Sequence, residues 1–175
     1  MRLKEGEKAI NFTVTDLSGK TISLEKFKDK KILLSFYRYA SCPLCNLRIS
    51  QLIQQYDDMK KKGLVIIAFF QSPKESMLEY VGKQNVPFPL IPDPEREIYR
   101  LYRIEKSWFK YVIGGISGKM FRALRKGYKI KDQEGQQNLV PADFLIENMI
   151  IKRAYYGKSI ADHISFEELN QFLEE

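Results

Sequence analysis

Residues 32–39 read ILLSFYRY, an almost unbroken apolar and aromatic run between Lys30-Lys31 and Ser41-Cys42-Pro43. Such a run predicts a strand buried on both faces. After Pro43, the residues Leu44, Leu47, Leu52, Ile53 and Tyr56 recur at helical spacing. Lys60-Lys61-Lys62-Gly63 then supplies a basic stop signal closed by glycine. Residues 64–70 repeat the buried-strand pattern. Pro73 opens a second amphipathic helix carrying Met77, Leu78 and Val81. The order strand, helix, strand, helix predicts a parallel sheet covered by helices.

The flanks are simpler. Residues 6–24 alternate short apolar and polar pieces around Leu17-Ser18-Gly19-Lys20 and predict a small hairpin. Residues 86–94 hold four of the seven prolines and must be extended or turning. A short helix is expected over 95–102. Residues 142–147 and 150–155 predict two strands joined by a tight turn at Asn148, hence antiparallel. A last helix is expected over 166–173.

Residues 106–126 differ in character. Trp108, Val112, Ile116, Met120 and Leu124 recur every four residues, with Ile113 and Phe121 beside them. Lys110, Lys119, Arg122, Arg125 and Lys126 take the other faces. This is one amphipathic helix or two short ones, because Gly114, Gly115 and Gly118 each weaken a helix by about 1 kcal/mol. Its apolar stripe is expected to pack on the core of its own domain, with a dimer contact or a cover over the active site as alternatives. Gly114 and Gly118 would also let another backbone approach closely.

Composition narrows the class. With 175 residues, 44% hydrophobic, the chain fits one domain with a real core. No apolar run approaches the roughly 20 residues that span a bilayer. The first twelve residues lack an apolar signal region, so a cytoplasmic location is expected. Lys and Arg outnumber Asp and Glu by 29 to 22, a net +7. Residues 96–131 hold eleven basic residues against Glu97 and Glu105, so this segment alone is +9. It reads first as a solvated basic face. An anionic partner or membrane surface is the lesser alternative; nucleic acid is not expected, because no binding motif accompanies the charge.

The two cysteines, Cys42 and Cys45, lie three residues apart. Placed at a strand end and a helix start, Cys42 meets unpaired N–H groups and the positive end of the helix dipole, both of which favour a thiolate. Pro43 suits the first helical position, where its missing N–H costs nothing. Cys45 sits about one turn on, within reach of Cys42 for a disulfide. Arg38 and Arg48 are the candidate cations for the thiolate. Zinc would want four ligands, and two Cys plus His163 fall short. Two inert buried cysteines are the other alternative. His163, before the last helix, reads as a capping or surface residue rather than a base.

These residues resemble a known family. Residues 6–20 with Ile22-Ser23-Leu24 and 32–38, the segment Val86-Pro87-Phe88-Pro89-Leu90-Ile91-Pro92-Asp93-Pro94, and Pro141-Ala142-Asp143-Phe144-Leu145-Ile146-Glu147 are similar to three separated motifs of the alkyl hydroperoxide reductase/thiol-specific antioxidant (peroxiredoxin and redoxin) family. The resemblance implies an α/β thioredoxin-like fold: a central mixed sheet flanked by helices, an N-terminal hairpin, and one domain over 1–175 interrupted by a basic helical insertion at about 105–138. The chain departs from the typical peroxiredoxin pattern in two places, ahead of Cys42 and at the later strand. Tyr39 stands where the family has Thr or Ser, and Ser35 where it has Pro. Val140-Pro141-Ala142 lacks the family's Arg, and Pro141 instead resembles the cis-proline facing the active cysteine of thioredoxin-like oxidoreductases. Ser41 replaces the Trp that precedes Cys-x-x-Cys in thioredoxin.

The resemblance implies a thiol-dependent antioxidant oxidoreductase, with Cys42, Cys45, Arg38 and Pro141 as its site and no metal or organic cofactor. The expected partners are a peroxide or disulfide substrate, an external thiol donor such as a thioredoxin, and a second copy in a homodimer. Two alternatives stay open: a protein-disulfide reductase without peroxidase activity, and a redox-switched binding module built on the basic helical segment.

Overall fold

The computed structural model of the chain describes residues 1–115, 117–129, 131 and 133–175. Its centre is a five-stranded mixed sheet in the order β5-β4-β3-β6-β7. Strands β3 (Lys31–Phe36), β4 (Leu64–Phe70) and β5 (Leu90–Pro92) run parallel. Strands β6 (Ala142–Glu147) and β7 (Ile150–Tyr156) form an antiparallel hairpin, and β6 also runs antiparallel to β3. The hairpin turn places Asn148 and Met149 at φ 53° and 60°. Such left-handed pairs match the twist of the strands they join. The N-terminal hairpin is β1 (Thr13–Thr15) with β2 (Thr21–Ser23), and Asp16 closes its turn by accepting from the Ser18 and Lys20 amides.

Alternate residues of the central strands face opposite sides, so each strand feeds two cores. Leu33, Tyr37, Ile66, Ala68, Phe70 and Leu145 pack against α1 (Pro43–Lys61) and α6 (Phe166–Glu174). Ile32, Leu34, Phe36, Phe69, Phe144 and Ile146 pack against the hairpin and α3 (Glu97–Leu101). Burial on both faces is why β3 and β4 read as continuous apolar runs. Pro73 caps α2 (Lys74–Glu79), and Asp93 caps α3 by accepting from the Glu97 and Ile98 amides at 2.9 Å each.

Two expectations shift. The strand expected to reach Tyr39 ends at Phe36, and residues 37–42 peel away to start α1. The apolar stripe of 106–126 breaks into α4 (Trp108–Gly115) and α5 (Gly118–Arg125), and it does not pack inward as a stripe. Ser117 caps α5 afresh, resetting the helical phase. Tyr111, Met120 and Ala123 turn toward the core, while Trp108, Val112, Phe121 and Leu124 stay exposed. Ile116 lies outside the described residues, as do the side chains of Lys110 and Ile113 and the surroundings of Gly114 and Gly115.

Candidate active site

The first turn of α1 is the site. Cys42 is its N-cap and Pro43 its first residue; the Cys45 amide donates to Cys42 Sγ at 3.4 Å. A side chain that accepts from the third helical amide is the usual capping geometry, with sulfur here in place of oxygen. The loop before it is pinned. Asn46 Nδ2 donates to the carbonyls of Ala40 and Cys42 at 2.7 and 2.9 Å, and the Ala40 amide donates to Ser72 Oγ at 2.9 Å. Gln84 Nε2 donates to Asn46 Oδ1 at 2.8 Å, and the Tyr128 hydroxyl donates to Gln84 Oε1 at 3.1 Å.

The two sulfurs differ electrostatically. Burial alone would raise the Cys42 thiol, but other groups bring it down to about 6. These are the hydrogen bond from the Cys45 thiol, the charge of Arg38, and the amides of Cys45 and Leu44. Cys45 moves the other way: burial and the neighbouring Cys42 sulfur push it well above the usual thiol range. Cys42 is therefore a thiolate near neutral pH, and Cys45 remains a protonated donor beside it. Both cysteines are free. This is the division of labour that dithiol chemistry needs, an attacking anion and a resolving thiol.

Arg38 is the cation at the sulfur. Its Nη1 lies 3.7 Å from Cys42 Sγ, and its Nε and Nη2 donate to the Gln137 carbonyl at 3.0 and 2.6 Å. Its guanidinium also stacks on the rings of Tyr39 and Tyr111, 4.9 and 5.1 Å from their centroids. Burial works against the Arg38 charge, but the neighbouring groups, the Cys42 sulfur first among them, more than offset this and raise its pKa. Tyr111 and Gln137 come from the segment between α3 and β6, so that segment roofs the dithiol. Gln71 fastens the roof: its side-chain amide donates to the Gln136 carbonyl at 2.8 Å and accepts from the Gln136 amide at 2.9 Å. Beneath the roof Cys42 is 0% and Cys45 1% exposed.

The other predicted residues take different places. Arg48 does not face the thiolate. It lies on the face of α1 that meets the segment before α6, donates to the Ile164 carbonyl at 2.8 Å and stacks on Phe166 at 4.2 Å. The peptide bond before Pro141 is trans, which corrects the resemblance to a cis-proline. Pro141 is buried, and its carbonyl accepts from the Gly157 amide at 2.9 Å, so it extends the β6–β7 edge. His163 is neither a surface residue nor a cap. Its Nδ1 meets Asp143 Oδ2 at 3.0 Å, and its ring lies 4.8 Å from that of Tyr37. Asp143, fully buried on β6, also binds the Ser35 hydroxyl and the Ile164 amide. Burial opposes its charge, but His163, Arg48 and Ser35 hold its carboxyl below the usual range.

Sequence reasoning missed Asp143, Gln137 and Tyr111. The signal for Asp143 was a carboxylate set between apolar residues near the start of β6. No local signal marks the other two. Among the described residues, no group of three His, Cys, Asp or Glu side chains is placed to hold a metal ion.

Residues 6–153 match the model of the AhpC/TSA family. The chain belongs to that family. It is 24% identical to peroxiredoxin Bcp of Escherichia coli strain K12, over 83% of this chain and 90% of that protein. It is 30% identical to the thiol-disulfide oxidoreductase ResA of Bacillus thuringiensis, over 75% of each chain. The crystal structure of peroxidoxin BcpB from Mycobacterium tuberculosis superposes with a TM-score of 0.69 at 12% identity, covering 99% of this chain and 96% of that one. The fold is thioredoxin-like, and this AhpC/TSA protein is a thiol oxidoreductase of the peroxiredoxin type. Its departures from the family pattern have local uses: the Tyr39 ring supports Arg38, and the Ser35 hydroxyl serves Asp143.

Proposed function

We propose that this protein reduces peroxides through a dithiol–disulfide cycle in which Cys42 attacks and Cys45 resolves. The observation that carries this reading is Arg38, a residue only 2% exposed whose guanidinium has a sulfur at 3.7 Å. A buried cation without a counter-anion costs several kcal/mol, and the Cys42 thiolate is the anion that faces it. The thiolate attacks the distal oxygen of a hydroperoxide. The O–O bond breaks, and the leaving oxygen takes a proton and departs as alcohol or water. The sulfur, oxidised by two electrons, becomes a sulfenic acid. The Cys45 thiol then attacks that sulfur, an S–S bond forms, and the oxygen leaves as water. An external dithiol of the thioredoxin type returns two electrons and two protons by exchange. Arg38 and the first amides of α1 oppose the negative charge throughout. The roof of Tyr111 and Gln137 must lift for each substrate, because neither sulfur reaches solvent beneath it.

The test mixes reduced protein with hydrogen peroxide and follows thiol loss and peroxide consumption. Cys42→Ser is expected to fall to background, and Cys45→Ser to turn over once and stop at the sulfenic acid. Full peroxide consumption by Cys42→Ser overturns the assignment.

A second reading, protein-disulfide reduction, is favoured by the Cys-x-x-Cys spacing and the likeness to ResA. Insulin reduction with negligible peroxide turnover selects it. Under either reading we take the chain as one redoxin domain with an inserted segment at about 105–138, placed in the cytoplasm and assembling as a homodimer.

A further inference from the structure

The dithiol chemistry leaves the outer side of its own roof unexplained. On α4, Trp108, Phe109 and Val112 share one helical face and are 63%, 77% and 57% exposed. On α5, Phe121 and Leu124 share another, 72% and 44% exposed. The inward positions are taken by Tyr111, Met120 and Ala123, so the described apolar residues of the two helices divide between an inner and an outer side. Among the described residues, the exposed aromatic side chains, Trp108, Phe109 and Phe121, all lie on this pair of helices. Apolar surface of this kind marks an interaction site.

Charge says what covers it. Between Glu105 and Asp132 the chain has eight Lys or Arg and no Asp or Glu. Arg122, Arg125, Lys126 and Lys129 are exposed beside the apolar face of α5. A second copy bringing the same face would meet like charge. Exposed Trp, Phe and Leu rimmed by Lys and Arg are the composition of a helix lying in the headgroup layer of an anionic bilayer. No helix is long and apolar enough to cross a membrane among the described residues, so the contact is peripheral.

We propose that the outer face of α4–α5 docks this protein on an anionic lipid surface. Because Tyr111 of the same segment stacks on Arg38, docking sets the roof of the dithiol against the bilayer.

Trp108 is the sole tryptophan and reports the contact directly. The reduced 175-residue protein is titrated with vesicles of equal parts phosphatidylcholine and phosphatidylglycerol, and with phosphatidylcholine alone. The expected result is a blue shift of Trp108 emission and co-sedimentation with the anionic vesicles only. Raising salt from about 0.05 M to about 0.5 M should reverse both. Arg122→Glu/Arg125→Glu/Lys126→Glu should weaken binding by about a hundredfold. Phe109→Ser/Phe121→Ser should abolish the blue shift, and the charge variant carries the test if the serine pair does not fold. Unshifted emission and no co-sedimentation with anionic vesicles overturn the proposal. So does equal binding to neutral vesicles, or a dimer on gel filtration that the serine pair dissociates, which would assign the face to a second copy. These readouts are binding measurements, so they stand or fall apart from peroxide turnover.

Discussion

The start of α1 and the α4–α5 segment are both short stretches of basic, partly apolar helix, and they are built in opposite ways. At the start of α1 the groups that touch the Cys42 sulfur are matched: amide to thiolate, guanidinium to thiolate and carbonyl, Asn46 to two carbonyls, with the buried Tyr37 hydroxyl and Arg48 Nε as the unpaired atoms nearby. The elements beneath it are sheet strands packed on both faces. In α4–α5 Trp108, Phe109, Val112, Phe121 and Leu124 point outward and Arg122, Arg125 and Lys126 stand in solvent, with Tyr111, Met120 and Ala123 as the inward anchors and Lys119 donating to the Ala161 carbonyl. Chemistry needs a fixed charge geometry, and a rigid, satisfied scaffold provides it. Access needs an element that opens at low cost, which few buried apolar contacts provide.

The largest expected effect comes from breaking the rigid half. Asp143→Ala removes the acceptor for Ser35, His163 and the Ile164 amide at once, and should cost about 3–5 kcal/mol in urea unfolding. A loss below about 1 kcal/mol would mean that this buried carboxylate does not hold the β3–β6 seam to the segment before α6.

Arg38→Met tests the charge itself. Peroxide reactivity should fall about a hundredfold at neutral pH, as when one donor to a reacting anion is removed. The pH profile should move with it. In the parent protein the rate should rise through about 6 and then level; in the variant the rise should shift toward the free thiol, about 8.5. Stability follows the same sign. The folded thiol is the more acidic one, so its contribution is full above the unfolded value and lost as pH falls through about 6. Unfolding curves of the reduced protein should therefore show stability rising over that window, and less so in Arg38→Met. A profile that stays put in the variant would remove Arg38 from the site.

A smaller effect is expected at the seam between the halves. Gln71→Ala loses the paired hydrogen bonds to Gln136, a loosening of about 1–1.5 kcal/mol. Cys42 alkylation by iodoacetamide should speed up by about tenfold while its pH dependence stays fixed. A change in the pH profile without a change in rate would show that Gln71 tunes the thiol and does not hold the roof.

The smallest effect belongs to the outer face. Phe109→Ser/Phe121→Ser should alter thermal stability by no more than about 0.5 kcal/mol, because neither ring is buried. A large loss would mean that these rings pack on the fold in solution.

The legible part of the protein was local. Strands β4 and β6, the helix beginning at Pro43 and the turn at Asn148 follow from runs, caps and spacing within about ten residues. So does the Cys42–Cys45 relation, which is one helical turn. Arg38 was legible as a candidate because it lies four residues from Cys42; Arg48 stood beside it as a second candidate, and only the packing of α1 against the segment before α6 turned it away. The failures were distant in sequence. Arg38 meets Gln137 across 99 residues, and Ser35 meets Asp143 across 108. His163 became a buried partner because β6 brought Asp143 to it.

By itself, the amino-acid order determined the βαβ core, the family, and the sulfur that starts α1, since each is written in short-range periodicity and capping chemistry. Tertiary structure alone decided which arginine serves that sulfur, what covers it, and which side of α4–α5 faces water. Burial and charge pairing are properties of neighbours in space, and those neighbours are supplied by chain segments that carry no local mark of one another.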